Sequence, residues 1–387
     1  MSHAWVDEED RVGVWIPINE YKWPVPIPKD TNLDLIRIEM LNLGGEYTWL
    51  DVLCLRQKGG PNEDMHMEEW KLDVPTIGYM YYSKDVVIYL SGLGLPLSLK
   101  EGDLDSDWCW FRRAWTLQEV SNSRIIAGDM PNGPMHVGPV DEDGNYETEL
   151  LMRFHKQLGS ITNRGIFSQL TDMQMRVSMN PVDKVTGLAF PLLLWTIPAY
   201  NESESLEDAW TALVNEMYSV MRMSFLFVYP RVGLGHKKWR PMWEQVMTEP
   251  LPVDDYFPGP VRHDDETDED SFSGPCIEKG CVHGLDVELA EGVDRRGELV
   301  VESVDGMPHT FAIHATHQIP IPEDAYMLLG NDADRHYGKQ RQHWAVGRRL
   351  PRQRFEKMSV VVMDDEQDSK RLEDLGIVDI ESHYILV

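Results

Sequence analysis

The segment WCWFRRAWTLQEV, residues 108–120, sets a glutamate among tryptophans. At about 100° per residue, a helix here would place Trp108, Arg112, Trp115 and Glu119 on one stripe roughly 60° wide. A carboxylate held against indole rings is desolvated. It must find a cation or a hydrogen-bond donor, or its pKa rises. Such an acid suits proton transfer or the stabilisation of a developing positive charge. It suits equally a structural tie to a neighbouring backbone N–H or arginine, and the sequence leaves both readings open.

A second set of polar side chains lies in YTWLDVLCLRQ, residues 47–57. Read as a strand, it turns Trp49, Asp51, Leu53 and Leu55 to one side and Leu50, Val52, Cys54 and Arg56 to the other. An aspartate inside an apolar strand is costly unless it is hydrogen-bonded. Ligands of open parallel sheets collect beyond the carboxyl ends of the strands. Cys54, Arg56 and Gln57 are expected near one such end, Ser91 and Gly92 near the next, and Ser2, His3 and Trp5 near a third. Cys54 and His3 are candidates for a thiol–imidazole pair. Arg112, Arg113 and Arg124 read either as an anion pocket or as ion-pairing surface. Neither G-x-G-x-x-G nor a GK[ST] phosphate loop occurs, so the two commonest nucleotide signatures are lacking.

The elements that must position these groups follow from runs and periods. Residues 47–55, 85–90 and 123–127 are short apolar runs with helix-like segments between them at 32–43, 73–82 and 107–121, a pattern of buried parallel strands in an α/β layer. In the first helix Leu33, Ile36, Met40 and Leu41 supply the apolar positions, and Asp30, Thr31 or Asn32 the cap. Four prolines in residues 10–30 predict an extended loop. Residues 131–146 read as a linker, and 206–221 as a helix with Trp210, Leu213, Met217 and Met221 as core. FLFVYP, residues 225–230, reads as a strand. From residue 284 onward, short apolar runs alternate with charges in the manner of an antiparallel sheet. The predicted organisation is an α/β domain at 1–130, a mainly helical extension at 131–283 and a β-rich region at 284–387.

Composition narrows the function classes. Thirty-six basic against 65 acidic residues give a net charge of −29 over 387 residues, which repels phosphate backbones and anionic bilayers. Neither nucleic acid nor a membrane is an expected partner. The acids just after Met1 argue against a secretion signal, and four cysteines make no disulfide framework, so a cytoplasmic setting is expected. Metal sites are weakly drawn. Cys276 and Cys281, with His283 and His263, lack the paired repeats of zinc signatures. The acidic run 262–271 lacks EF-hand spacing and reads as a solvated loop. On a strand, His309 and His317 share a side and His314 takes the other. No metal or cofactor is expected.

SHAW (2–5), YTWLDVLCLRQ (47–57), VVIYLSGLG (86–94) and RRAWTLQEV (112–120), in that order, resemble the fungal heterokaryon-incompatibility (HET) domain over residues 1–130. The middle region, with AWTALVNEMY and FLFVYP…KWRPMWEQVM, resembles the C-terminal extension of basidiomycete members. Val6 stands where the family pattern has glycine, and Leu55-Arg56-Gln57 where it has isoleucine-asparagine-glutamine. HET domains in turn resemble TIR domains, which implies a TIR-like, flavodoxin-like parallel sheet in the N-terminal part. Some TIR domains cleave NAD at the nicotinamide–ribose bond with a glutamate on the helix after the third strand. That carries over to Glu119, in the pattern formed with Trp115. The resemblance implies NAD, or another nucleotide, as substrate rather than cofactor, with Arg112 or Arg113 toward the diphosphate. It also implies self-association or a protein partner in programmed cell death on non-self recognition. A non-catalytic signalling or scaffold role, or a diverged HET-like enzyme of specialised metabolism, fits the same residues.

Overall fold

The computed structural model describes every residue except 32, 83, 122, 161–164, 256–260, 288–294, 332–341 and 364. The chain divides into two compact units, one formed by Met1–Arg164 with Met175–Leu213, the other by Gly165–Gln174 with Val214–Val387. The first is a mixed α/β region with a small parallel sheet. The second combines helices with a larger, mainly antiparallel sheet.

In the first unit, strands β1 (Ser2–His3), β4 (Asp85–Tyr89) and β5 (Ser123–Ile126) run parallel in the order β1-β4-β5. Strands β2 (Arg11–Val14) and β3 (Val25–Pro28) form a separate antiparallel ribbon. Residues 10–30 are therefore not only the loop their prolines predict. Pro26 lies opposite Gly13 in a two-stranded ribbon, where a strand edge tolerates a missing N–H. The central strand β4 is buried on both faces, as a covered parallel sheet demands. Val87 and Tyr89 pack with Val25, Ile36 and Val52, while Val86 and Ile88 pack with Ile77, Tyr81 and Trp110.

Three predicted elements take another form, and each has a local cause. Residues 47–55 are not a strand: their centre is one helical turn, Asp51–Cys54, in which Cys54 N–H donates to the Leu50 carbonyl and Leu55 N–H to that of Asp51. A short apolar run does not distinguish a buried strand from a buried turn. Residues 107–121 are not a continuous helix but two 3-10 turns, Trp110–Arg112 and Trp115–Leu117. Ala114 N–H donates to the Val177 carbonyl and Val177 N–H to that of Arg112, so backbone groups needed for a helical ladder bond another segment. FLFVYP is likewise no strand. Phe225, Leu226 and Phe227 close the helix Ser219–Phe227, and all three are buried. The first helix spans Leu33–Asn42 with Ile36 buried and Leu41 exposed; Asn32 lies outside the described residues.

The second unit carries β6 (Val261–Asp264), β7 (Glu269–His283), β8 (Arg295–Glu302), β9 (Pro308–Ala315), β10 (Asp324–Gly330), β11 (Gln342–Leu350), β12 (Arg354–Met363) and β13 (Asp379–Leu386). Pairing runs from β7 through β8, β9, β12, β11 and β10 back to β7, so the sheet closes on itself. Tyr326, Leu328, Trp344, Val346 and Val361 fill the enclosed core. The acidic run 262–271 is not simply a solvated loop. It spans the β6–β7 hairpin, and Asp270 is buried against Lys237, His263 and Trp239.

Candidate functional site

The first unit contains a cleft of about 580 Å³ along its edge strand β1. Four segments reach it: β1 with its continuation to Trp5, the turn that begins at Asp51, the 3-10 turns ending at Glu119, and residues 179–202. Thr116 organises the third of these. Its hydroxyl donates to the Trp110 and Arg113 carbonyls, at 2.5 and 2.8 Å. Arg176 ties the same place from outside, with its guanidinium 2.6 Å from the Arg113 carbonyl and 2.7 Å from Thr116 Oγ1. The side chains of Trp115 and Glu119 are thereby directed to the cleft without a regular helix.

Glu119 stands at the centre of a hydrogen-bonded chain. Trp110 Nε1 donates to Ser2 Oγ at 2.6 Å, and Ser2 Oγ donates to Glu119 Oε2 at 2.6 Å. The Tyr81 hydroxyl donates to the Met1 carbonyl at 2.8 Å and lies 3.5 Å from the same carboxylate oxygen. Burial pushes the Glu119 carboxyl up to about 7, with the charge of Asp51 acting in the same direction and the Ser2 hydrogen bond and His3 opposing it. The side chain is half-buried and lines the cleft.

His3 and Asp51 form a second pair, with Nε2 3.0 Å from Oδ1. His3 Nδ1 faces the Ala4 carbonyl at 3.1 Å, so both ring nitrogens face acceptors, the arrangement that a doubly protonated imidazole satisfies. Burial lowers the affinity of His3 for a proton, but Asp51, the Ala4 carbonyl and Glu119 outweigh it and the net shift is upward. Burial likewise raises Asp51, and His3 with the Val52 N–H more than reverses that, leaving a lowered carboxylate. One buried acid is thus held ionised beside another that titrates near neutrality. Environments that pull neighbouring acids apart in this way are a mark of acid–base sites.

The rest of the lining is mixed: aromatic and basic Trp5, Trp70, Trp115, His66, Arg11, Lys58 and Arg113, acidic Glu8 and Glu202, and apolar Leu55, Val74 and Ile77. Asp183, which also lines the cleft, accepts from the Tyr200 hydroxyl at 2.8 Å, and burial raises its carboxyl despite that bond.

Of the residues singled out in the sequence, Glu119, Trp115, Arg113, Asp51, Gln57, His3 and Trp5 line the cleft, and Ser2 bonds Glu119 from behind. Gln57 uses its amide to hold the Leu55 carbonyl at 2.9 Å. Arg112, Cys54 and Ser91 are outside the lining. Arg112 donates to the Asp105 carbonyl and pairs with Asp107 at 3.4 Å. Ser91 closes a turn by exchanging hydrogen bonds with Ser98, and Cys54 is exposed. Arg124 reaches the Leu158 carbonyl, so the arginine cluster of the sequence disperses. Among the described residues no group of three His, Cys, Asp or Glu side chains converges as a metal site, and no helix is long and apolar enough to cross a membrane. Sequence reasoning missed Arg11, Asp183, Tyr200, His66 and Trp70. Arg11 is hidden in a stretch dominated by prolines, and only the Asn180-Pro181 turn signal precedes Asp183.

Comparison of the chain with models of protein families, with curated proteins and with solved structures gave no match in any of the three.

Proposed function

We propose that the cleft hydrolyses the bond between nicotinamide and ribose in NAD, releasing nicotinamide and ADP-ribose, with Glu119 as the catalytic carboxylate. The observation that carries this reading is a single acid, shifted to about 7 by burial, lining a cavity large enough for a nucleotide beside Trp115. As the C1′–N1 bond breaks, its electron pair stays on nicotinamide and positive charge grows on the ribose. A preorganised carboxylate stabilises that charge. The leaving group departs neutral and needs no proton. Water then adds to C1′, and Glu119, with a proton affinity suited to neutral pH, accepts the proton that water gives up. The positive charge of the pyridinium itself favours the ionised carboxylate, opposing the desolvation that raises it. Indole faces exclude water and stack on the ring.

The same reading makes the chain a HET-domain protein of fungal non-self recognition and programmed cell death. Its N-terminal sheet is then a reduced TIR-like layer, in which the second motif contributes the turn carrying Asp51 rather than a strand. The parallel order β1-β4-β5 and the joint placement of Ser2, Asp51 and Glu119 support it.

A non-catalytic scaffold is the second reading, favoured by one feature: Glu119 already has a donor in Ser2, which Trp110 anchors in turn. Nicotinamide release from NAD, measured for the purified chain and for Glu119→Gln, decides between them. Hydrolysis requires release by the wild type and its loss in the variant. No release by the wild type, or equal release by both, removes the assignment.

A further inference from the structure

Two guanidinium groups in the cleft have no carboxylate partner among the described residues. Among the described residues neither Arg11 nor Arg113 forms an ion pair within 4.0 Å, although the chain carries 65 acidic residues. Both are instead held by indole. The Arg11 guanidinium lies 5.0 Å from the ring centroid of Trp5 and 5.3 Å from that of Trp108, and Arg113 lies 5.1 Å from Trp108. Arg11 Nε and one terminal nitrogen are buried with no hydrogen-bond acceptor. Buried charged donors without acceptors are costly.

The nearby acids do not fill this need. Asp51 is occupied by His3, Asp183 by Tyr200 and Glu119 by Ser2. Asp7 and Glu8 act on Arg11 through their charge, but neither closes an ion pair with it. Burial weakens the hold of both arginines on their protons; at Arg113 the charges of Asp183 and Glu119 act against this, and that of Arg11 acts with it. Two like charges therefore share one indole, and Arg11 keeps buried donors without an acceptor among the described residues. The planar fork of arginine matches the oxygens of a phosphate, and an anion between the two would offset their mutual repulsion.

We propose that Arg11 and Arg113, stacked on Trp108, form a diphosphate subsite that makes the cleft selective for nucleoside diphosphates and their esters over uncharged nucleosides. This rests on reading the cleft as a nucleotide site, but not on Glu119 cleaving anything. The global charge of −29 discourages phosphate from the rest of the surface, so the selectivity must be local.

Isothermal titration of the full chain with ADP-ribose, ADP, inorganic pyrophosphate and adenosine tests it. ADP and ADP-ribose are expected to bind at least tenfold more tightly than adenosine. Arg11→Ala and Arg113→Ala are each expected to weaken both by about tenfold or more, leaving adenosine unchanged. Arg11→Lys keeps the charge without the fork and should recover part of the loss; it also serves if an alanine variant does not fold. Equal affinity for ADP and adenosine, absence of binding by any diphosphate, or variants that bind ADP as the wild type does would each overturn the subsite. Arginine-dependent ADP-ribose binding without nicotinamide release keeps the subsite and removes the hydrolase. Nicotinamide release with an unchanged KM in Arg11→Ala does the reverse.

Discussion

Both units bury charge, and they treat it differently. In the C-terminal sheet Lys357 is wholly enclosed, and its Nζ donates to the Phe225 and Tyr229 carbonyls, each at 2.6 Å, beside the Tyr229 ring. Those carbonyls lie at and just beyond the end of the helix Ser219–Phe227, where acceptors are left over and a cation is welcome. Asp270 is enclosed in the same manner by Lys237, His263 and Trp239. In the N-terminal unit, Glu119, Arg11 and Arg113 line a cavity, with an acid raised to about 7 and Arg11 donors that have no acceptor among the described residues. A buried charge is therefore not by itself a mark of function. What distinguishes the first unit is charge that the protein alone leaves incompletely answered, facing space that a ligand can enter.

The sharpest way to break this contrast is at Glu119. Replacement by glutamine keeps shape and a hydrogen-bond acceptor for Ser2 but removes the charge, and should lower nicotinamide release by about 100-fold or more, read as kcat. The corresponding test in the other unit is Lys357→Met. It strands two carbonyls and is expected to lower stability by about 3 kcal/mol, read from the urea midpoint, with ADP-ribose binding unchanged in the folded protein. A stabilised Lys357→Met would mean that the enclosed amine costs more than its two hydrogen bonds return, erasing the distinction.

The pH dependence separates the units further. The Glu119 carboxyl is raised from 4.5 to about 7 on folding, so between those pH values the folded chain holds more proton than the unfolded one. Its contribution to stability is thus highest below pH 4.5 and is lost as pH rises through about 7. Glu119→Gln removes that loss. The variant should be more stable than wild type by about 1–3 kcal/mol at pH 8 and show no such gain at pH 4.5, seen in paired denaturant titrations. In wild type, kcat/KM should climb with pH and level off above about 7, as the free carboxylate forms. The smallest effect is expected at Arg112, half-exposed and paired with exposed Asp107. Arg112→Ala should leave kcat unchanged and move stability by no more than about 0.5 kcal/mol.

The parallel strands 85–89 and 123–126 were legible as continuous apolar runs, and so was the antiparallel succession of the C-terminal unit. The turn at Asp51 was not, because YTWLDVLCL is as apolar as a buried strand and its helical turn is fixed only by where His3 and Trp23 bond it: Asp51 Oδ1 lies 3.0 Å from His3, and the Val52 carbonyl accepts from Trp23. The stripe containing Trp115 and Glu119 picked out two residues that line the cleft, through a wrong element. A helix was expected, yet the pairing of Val177 with Arg112 and Ala114 divides the segment into two turns. Arg11 was invisible, since nothing local in DRVGVW links it to residues 108 and 113.

Sequence by itself determined the chemistry on hand: an acid set among indoles, an aspartate in an apolar run, and a net charge that confines phosphate to local sites. Those follow from residue type and near neighbours. Only the tertiary structure decided which of these groups meet, because desolvation and charge act through space. Ser2, Asp51 and Glu119 are far apart in the chain, and the rise of Glu119 to about 7 exists only where folding removes water and brings Asp51 near.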